Sequence, residues 1–234
     1  MVLTIVIGGL VNGLLIGRAK LSFLVVTLGS SAVFQGVVNV WSGGATRQIA
    51  SPFLASLGTG TWLIPVPIWL MLAAYLLAAF VLRWTYFGRD VYATGGNPDA
   101  ARLAGINTTR TVVLVYVIAA VFVGVASVVQ VGRIQSASPT VGATLALDAA
   151  TAVLLGGTSF RGGVGSVTGT IVGALFLAVL QNGLALSGVQ SYWSQIVSGA
   201  VLIGAIAADR APVVRAALRR RRNSAREPAA VAPR

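Results

Sequence analysis

Thr111-Val-Val-Leu-Val-Tyr-Val-Ile-Ala-Ala-Val-Phe-Val-Gly-Val-Ala-Ser-Val-Val-Gln-Val131 is a continuous apolar run without a charged side chain. A helix needs about 20 mainly apolar residues to cross a bilayer, and this run supplies them. It does not alternate with a period of two, so it reads as a helix and not as a barrel strand. Six further runs flank it, at 2–17, 21–41, 62–82, 140–157, 168–187 and 192–208. The fifth run in chain order, 140–157, is short and holds Asp148. The expected fold is all-α, a polytopic transmembrane helical bundle of about seven spans.

Composition agrees. The chain is 56% hydrophobic and 9% charged, and its mean hydropathy is +0.86. A soluble domain carries about a quarter of its residues charged. There is no Cys and no His, and the acids are only Asp90, Asp99, Asp148, Asp209 and Glu227. Disulfides, thiolate metal sites and imidazole chemistry are thereby excluded, and little remains from which to build a catalytic centre. Neither a catalytic set, a metal site nor a bound cofactor is expected. The net charge of +12 resembles a nucleic-acid signature, but eight of the seventeen basic residues lie at or after Arg210, with Arg219 to Arg222 in a row. A basic cluster beside a span fixes topology and touches anionic lipid, so no nucleic-acid partner is expected. Residues 1–209 form the expected membrane domain, and 210–234 a basic, disordered tail.

Basic residues near span ends set the orientation. The tail, the 158–167 turn with Arg161, the 83–110 loop with Arg83, Arg89, Arg102 and Arg110, and the turn with Arg18 and Lys20 fall inside. The 42–61 and 132–139 loops, with Arg47 and Arg133, fall outside. Seven spans with an inside C-terminus put Met1 outside, although the first residues lack the basic region and cleavage site of a signal peptide. Either an odd number of upstream spans beyond this chain or a misassigned start is therefore expected. Leu10-Val-Asn-Gly-Leu-Leu-Ile-Gly17 resembles Leu180-Gln-Asn-Gly-Leu-Ala-Leu-Ser-Gly188. By this topology the two helices run in opposite directions, the mark of an inverted repeat. Gly9, Gly13 and Gly17, and again Gly165, Gly169 and Gly173, recur every four residues. Each set offers a smooth face for another backbone, in static packing or in a sliding contact.

The 86–105 stretch is a polar, turn-rich island. Asn97 is an N-cap residue, Pro98 fits the first helical position, Asp99 complements the positive end, and Gly105 fits a left-handed terminator. A helix over Pro98–Ala104 is too short to persist alone. It is held by its own loop or by a partner into whose groove Ala100, Ala101 and Ala104 fit.

Phe87 to Ile106 resembles the cytoplasmic loop of the ribose/xylose-type ABC transporter permeases. Phe23-Leu-Val-Val-Thr-Leu-Gly29, Leu147 to Ser166, and Ser191-Tyr-Trp-Ser-Gln-Ile-Val-Ser-Gly199 resemble further parts of the same family, in order, from about residue 5 to 209. Members of that family have roughly three more N-terminal spans. The resemblance implies a bacterial plasma-membrane importer of a monosaccharide. Its partners would be a separate ABC ATPase subunit, a second permease copy and an extracytoplasmic sugar-binding protein, with ATP used by the ATPase. It also implies that Gly95, Gly96, Asn97, Pro98, Asp99, Ala100, Ala101, Arg102 and Gly105 form the segment docked on the ATPase, with Arg89 and Arg102 as charged contacts.

Gly156-Gly-Thr-Ser-Phe-Arg-Gly-Gly-Val-Gly165 lacks the Gly-Lys-Ser/Thr ending of a Walker loop, and Thr168 breaks a dinucleotide fingerprint begun at Gly163. It reads as a tight turn between spans, with a second contact to the ATPase open to it. Asp148, Gln130, Asn182, Gln181, Gln35 and Asn39 are polar groups in apolar helices. They line a solute path or bond between helices. Trp41, Trp62 and Trp193 stack on a sugar ring or anchor span ends. Two other readings stand beside the importer: an ion-coupled transporter of a small polar solute, resting on Asp148, and an inactive truncated permease.

Overall fold

The computed structural model describes residues 2–49, 51–61, 64–142, 144–160, 162–188, 193 and 195–207. Trp62, Arg161 and the tail from 208 onward lie outside them. The chain divides into two compact units, one of Met1–Ala143 with Arg161–Gly163, the other of Thr144–Phe160 with Val164–Arg234.

In the first unit the helices are α1 (Val2–Gly17), α2 (Phe23–Ser42), α3 (Pro52–Thr59), α4 (Val66–Trp84), α5 (Tyr86–Gly96), α6 (Pro98–Leu103) and α7 (Thr108–Ile134). The second holds α8 (Leu145–Leu155), α9 (Val167–Leu186) and α10 (Gln195–Ala207). Each of the seven apolar runs coincides with one helix. Among the described residues, α2, α4, α7 and α9 are long and apolar enough to cross a membrane, and α1, α8 and α10 are shorter apolar helices.

Glycine sets the packing of the first unit. A Cβ on Gly9 would lie 2.8 Å from the Tyr116 carbonyl oxygen, one on Gly13 3.0 Å from Val113 Cα, and one on Gly17 3.0 Å from the Thr109 carbonyl oxygen. The partners descend along α7 as the glycines ascend along α1, so the two helices are antiparallel with backbones touching. The Thr109 hydroxyl closes the end of the seam by donating to the Gly17 carbonyl at 3.1 Å. At the other end of α7, Gly132 and Gly58 of α3 meet backbone to backbone. There Arg47–Gln48 (β1) pairs antiparallel with Ser136–Ala137 (β2), with Arg47 opposite Ala137. The 42–61 and 132–139 loops therefore share one end of this unit, as the span count requires.

The second unit repeats the device. Gly169 and Gly173 of α9 pack on the Gly156 and Ala152 backbone at the end of α8. Thr151, 1% exposed, is enclosed beside them. The two stretches of the sequence repeat differ in surroundings. Gly13 is covered by α7, whereas the space around Gly183 is open.

Buried apolar side chains are few among the described residues: Val26, Ala101, Ala120, Ala152, Leu154 and Leu177. The spans instead face outward with large apolar groups such as Val25, Leu28, Leu76 and Val179. That surface suits hydrocarbon, where every backbone group is satisfied inside its own helix. Trp41 is 85% exposed at the end of α2, an interfacial position, and Trp193 is also exposed.

One expectation is corrected. The 86–105 island carries two helices, not one. Gly88 is a contact glycine: a Cβ there would meet the Val81 carbonyl oxygen at 2.6 Å, where α5 folds back on the end of α4. Thr85 caps α5, its hydroxyl accepting from the Gly88 amide at 3.2 Å and donating to the Val81 carbonyl at 2.6 Å.

We expect Gly13→Leu to lower the stability of the detergent-solubilised protein by about 1–3 kcal/mol, the usual cost of overpacking. Gly36→Leu, which meets nothing within 4 Å, should leave it unchanged. Thermal unfolding followed by fluorescence separates the two.

Candidate functional site

Two places bring polar groups together, one in each unit. The first is the α5–α6 platform. The Asn97 side-chain oxygen accepts from the amides of Asp99 at 3.1 Å and Ala100 at 3.0 Å. Pro98 occupies the first helical turn, where its missing donor costs nothing. Gly105 takes φ +86, and the Ile106 amide reaches back to the Ala101 carbonyl at 3.0 Å. This left-handed termination is the one the sequence suggested. Asn107 then caps α7 through the Arg110 amide at 3.0 Å. Arg102 is held twice, by Asp99 at 3.4 Å and by the Thr108 hydroxyl at 2.9 Å. Arg89 lies over the Tyr86 ring, 4.2 Å from its centroid, an arrangement favoured by the ring quadrupole.

The outward face differs from the alanine face that the sequence pointed to. Ala101 is buried under its own loop, and Ala100 and Ala104 are exposed. Leu103, 91% exposed, is the large apolar group presented beside them. Beneath α5 the Gly95–Gly96 backbone lies against Gly162–Gly163 of the glycine-rich turn. Sequence spacing had no means of pairing these two segments.

The second place is a cavity of about 460 Å³ in the second unit, lined by Thr144, Asp148, Gln181, Gln195 and Ser198 among others. The Gln181 side-chain amide donates to the Asp148 carboxylate at 3.2 Å and to the Ser198 hydroxyl at 3.1 Å. Of the six residues proposed for a solute path, these are the two that the structure joins. Gln35 instead donates to the Pro139 carbonyl at 2.8 Å in the first unit. Asn39 and Asn182 are exposed and Gln130 half-buried. Ser198 and Gln195 escaped the sequence reading. Their signal is spacing: Gln195, Ser198, Gly199 and Leu202 lie three, four and seven residues on, one face of a helix.

With four described helices long and apolar enough to cross a membrane, the chain is a multi-pass membrane protein. Residues 1–206 match the family described as "Branched-chain amino acid transport system / permease component", and the chain belongs to that family. It is 38% identical over 206 residues to the ribose import permease protein RbsC of Escherichia coli K12, covering 86% of this chain and 64% of that protein. It is 40% identical over 202 residues to RbsC of Bacillus subtilis 168, covering 85% and 63%. It is 35% identical over 202 residues to the L-arabinose ABC transporter permease protein AraH of Azospirillum brasilense, covering 86% and 60%. The chain thus spans 60–64% of the length of these relatives. No solved structure matches it significantly.

Replacing Gln181 by Leu would leave the Asp148 carboxylate and the Ser198 hydroxyl without this partner. The expected loss is about 1–3 kcal/mol, and Asp148→Asn in the same background should recover part of it. Unfolding midpoints of the single and double variants measure both.

Proposed function

We propose that this chain is the membrane-spanning permease subunit of a bacterial ABC importer for a monosaccharide such as ribose or xylose. The observation that carries the reading is similarity along most of the chain to permeases named for ribose and for arabinose import. In this reading the permease lies in the plasma membrane with its C-terminus in the cytoplasm. It hydrolyses no ATP itself. Two copies form the pathway, a soluble binding protein delivers the sugar from outside, and a separate ATPase subunit docks on the α5–α6 platform from inside.

The platform's form supports that role. A six-residue helix outside the bilayer is fixed by caps at both ends and by Arg102, so a push on it is not absorbed by fraying. Leu103 offers an apolar knob with Arg102 next to it in the chain, and Arg89 adds positive charge on α5. The Asp148–Gln181–Ser198 cluster has the donors and acceptors that sugar hydroxyls require, with Gln35, Asn39, Gln130 and Asn182 as further polar positions along the spans.

A single intramembrane acid also suits ion coupling, so the energy source must be measured. In vesicles carrying the full transporter, uptake of labelled ribose should require ATP and survive collapse of the proton and sodium gradients. Uptake that follows an ion gradient and stops on Asp148→Asn would favour the ion-coupled reading.

Gly105→Asp forces a non-glycine residue to φ +86 and adds negative charge at the negative end of α6. It should abolish co-purification with the ATPase while leaving membrane insertion intact. Normal co-purification would overturn the docking assignment.

A further inference from the structure

The contact between Gly95–Gly96 and Gly162–Gly163 is made within this chain and joins the end of α5 to the glycine-rich turn. A Cβ on Gly95 would lie 2.6 Å from the Gly163 amide nitrogen. One on Gly162 would lie 2.6 Å from the Gly95 carbonyl oxygen, and one on Gly163 2.6 Å from Gly96 Cα. Both turn glycines in this contact have positive φ, +85 at Gly162 and +75 at Gly163. Four glycines therefore meet backbone to backbone, and three of the four positions have no room for a side chain. Surface loops that merely pass one another do not need this. Contacts closed to every side chain have little room to slip and transmit displacement well.

The covalent neighbours of Gly162–Gly163 give the contact its meaning. The 157–165 turn joins α8 to α9, the two helices that carry Asp148 and Gln181. The turn is itself braced, with the Ser159 amide donating to the Val164 carbonyl at 3.1 Å and the Thr158 amide to the Val153 carbonyl at 3.1 Å. Ser166 caps α9 immediately afterwards through the Gly169 amide at 3.0 Å.

We propose that the four glycines form a backbone clasp through which movement of the α5–α6 platform is handed to the α8–α9 hairpin and its Asp148–Gln181 pair. Gly95, Gly162 and Gly163 are positioning residues in this scheme, since they touch neither solute nor nucleotide. The proposal rests on the reading of α5–α6 as the ATPase-docking platform.

The test uses the full transporter, with its ATPase and binding protein, in lipid. In the unmodified complex, amide hydrogen exchange at 157–165 should change between the nucleotide-free and ATP-bound states, together with that at 86–105. Gly163→Ala should keep ATPase co-purification and ATP hydrolysis but lower sugar uptake about tenfold, within the range of measured coupling effects, and Gly95→Ala, on the docking segment itself, should lower uptake by a similar factor. Because both lesions break one contact, the double variant should be no worse than either single one. Gly36→Ala, on an open helix face, controls for the change of glycine to alanine. If either clasp variant fails to fold, the exchange measurement on the unmodified complex still decides. Protection at 86–105 on adding the ATPase, with no nucleotide response at 157–165, overturns the clasp and leaves docking standing. No response at 86–105 overturns docking, and the clasp with it.

Discussion

Between apolar helices bathed in lipid there is no water to expel, so the force that assembles soluble cores is missing. What remains is close approach, and close approach needs backbones without side chains between them. The α1–α7 seam at Gly9, Gly13 and Gly17, the Gly58–Gly132 crossing, and the Gly156–Gly169 contact all meet that requirement. Large side chains are left to face outward, where hydrocarbon accepts them. The scarcity of buried apolar residues is therefore no weakness. The cohesion lies in dispersion contacts along a few seams, each vulnerable to a single added methyl group.

Outside the spans the rules revert to those of water, and the platform follows them. Asn97 and Asn107 cap successive helices ten residues apart. Between them Gly105 turns the chain at the positive φ that such a tight corner needs. A helix of this length would not nucleate by itself. It persists because caps, the Arg102 contacts and the buried Ala101 replace the hydrogen bonds and packing that length would otherwise provide.

Long apolar runs have one solution in a membrane, which is why the seven apolar helices among the described residues were readable from sequence. The Asn97–Gly105 caps were equally legible, because capping is local chemistry. α5 was not. Its glycines carry the same letters whether they make turns or contacts, and only the fold shows that Gly88 lies against α4. The polar residues were recognisable one by one, as groups that hydrocarbon penalises. Which of them meet is a matter of helix rotation and register. Asp148 and Gln181, 33 positions apart, find each other, while Asn182, one residue further, faces elsewhere. Ser198 carries no such signal, because a lone helical serine can bond to its own backbone.

The register of α9 also fixes how deep the carboxylate lies. Gln181 stands 14 residues beyond Val167 in a helix of 20 residues, about 21 Å along a length of about 30 Å at 1.5 Å per residue. Its partner Asp148 is thereby held beside α9 about 8 Å short of the far end of that helix. The membrane voltage falls across the hydrocarbon thickness, and a full crossing is worth about 2.3 kcal/mol per unit charge at 100 mV. A negative charge on Asp148 would feel a fraction of that drop, of the order of 1 kcal/mol. With α9 spanning a bilayer, the Asp148–Gln181 bond would be made inside the transmembrane electric field, whether or not any ion is carried.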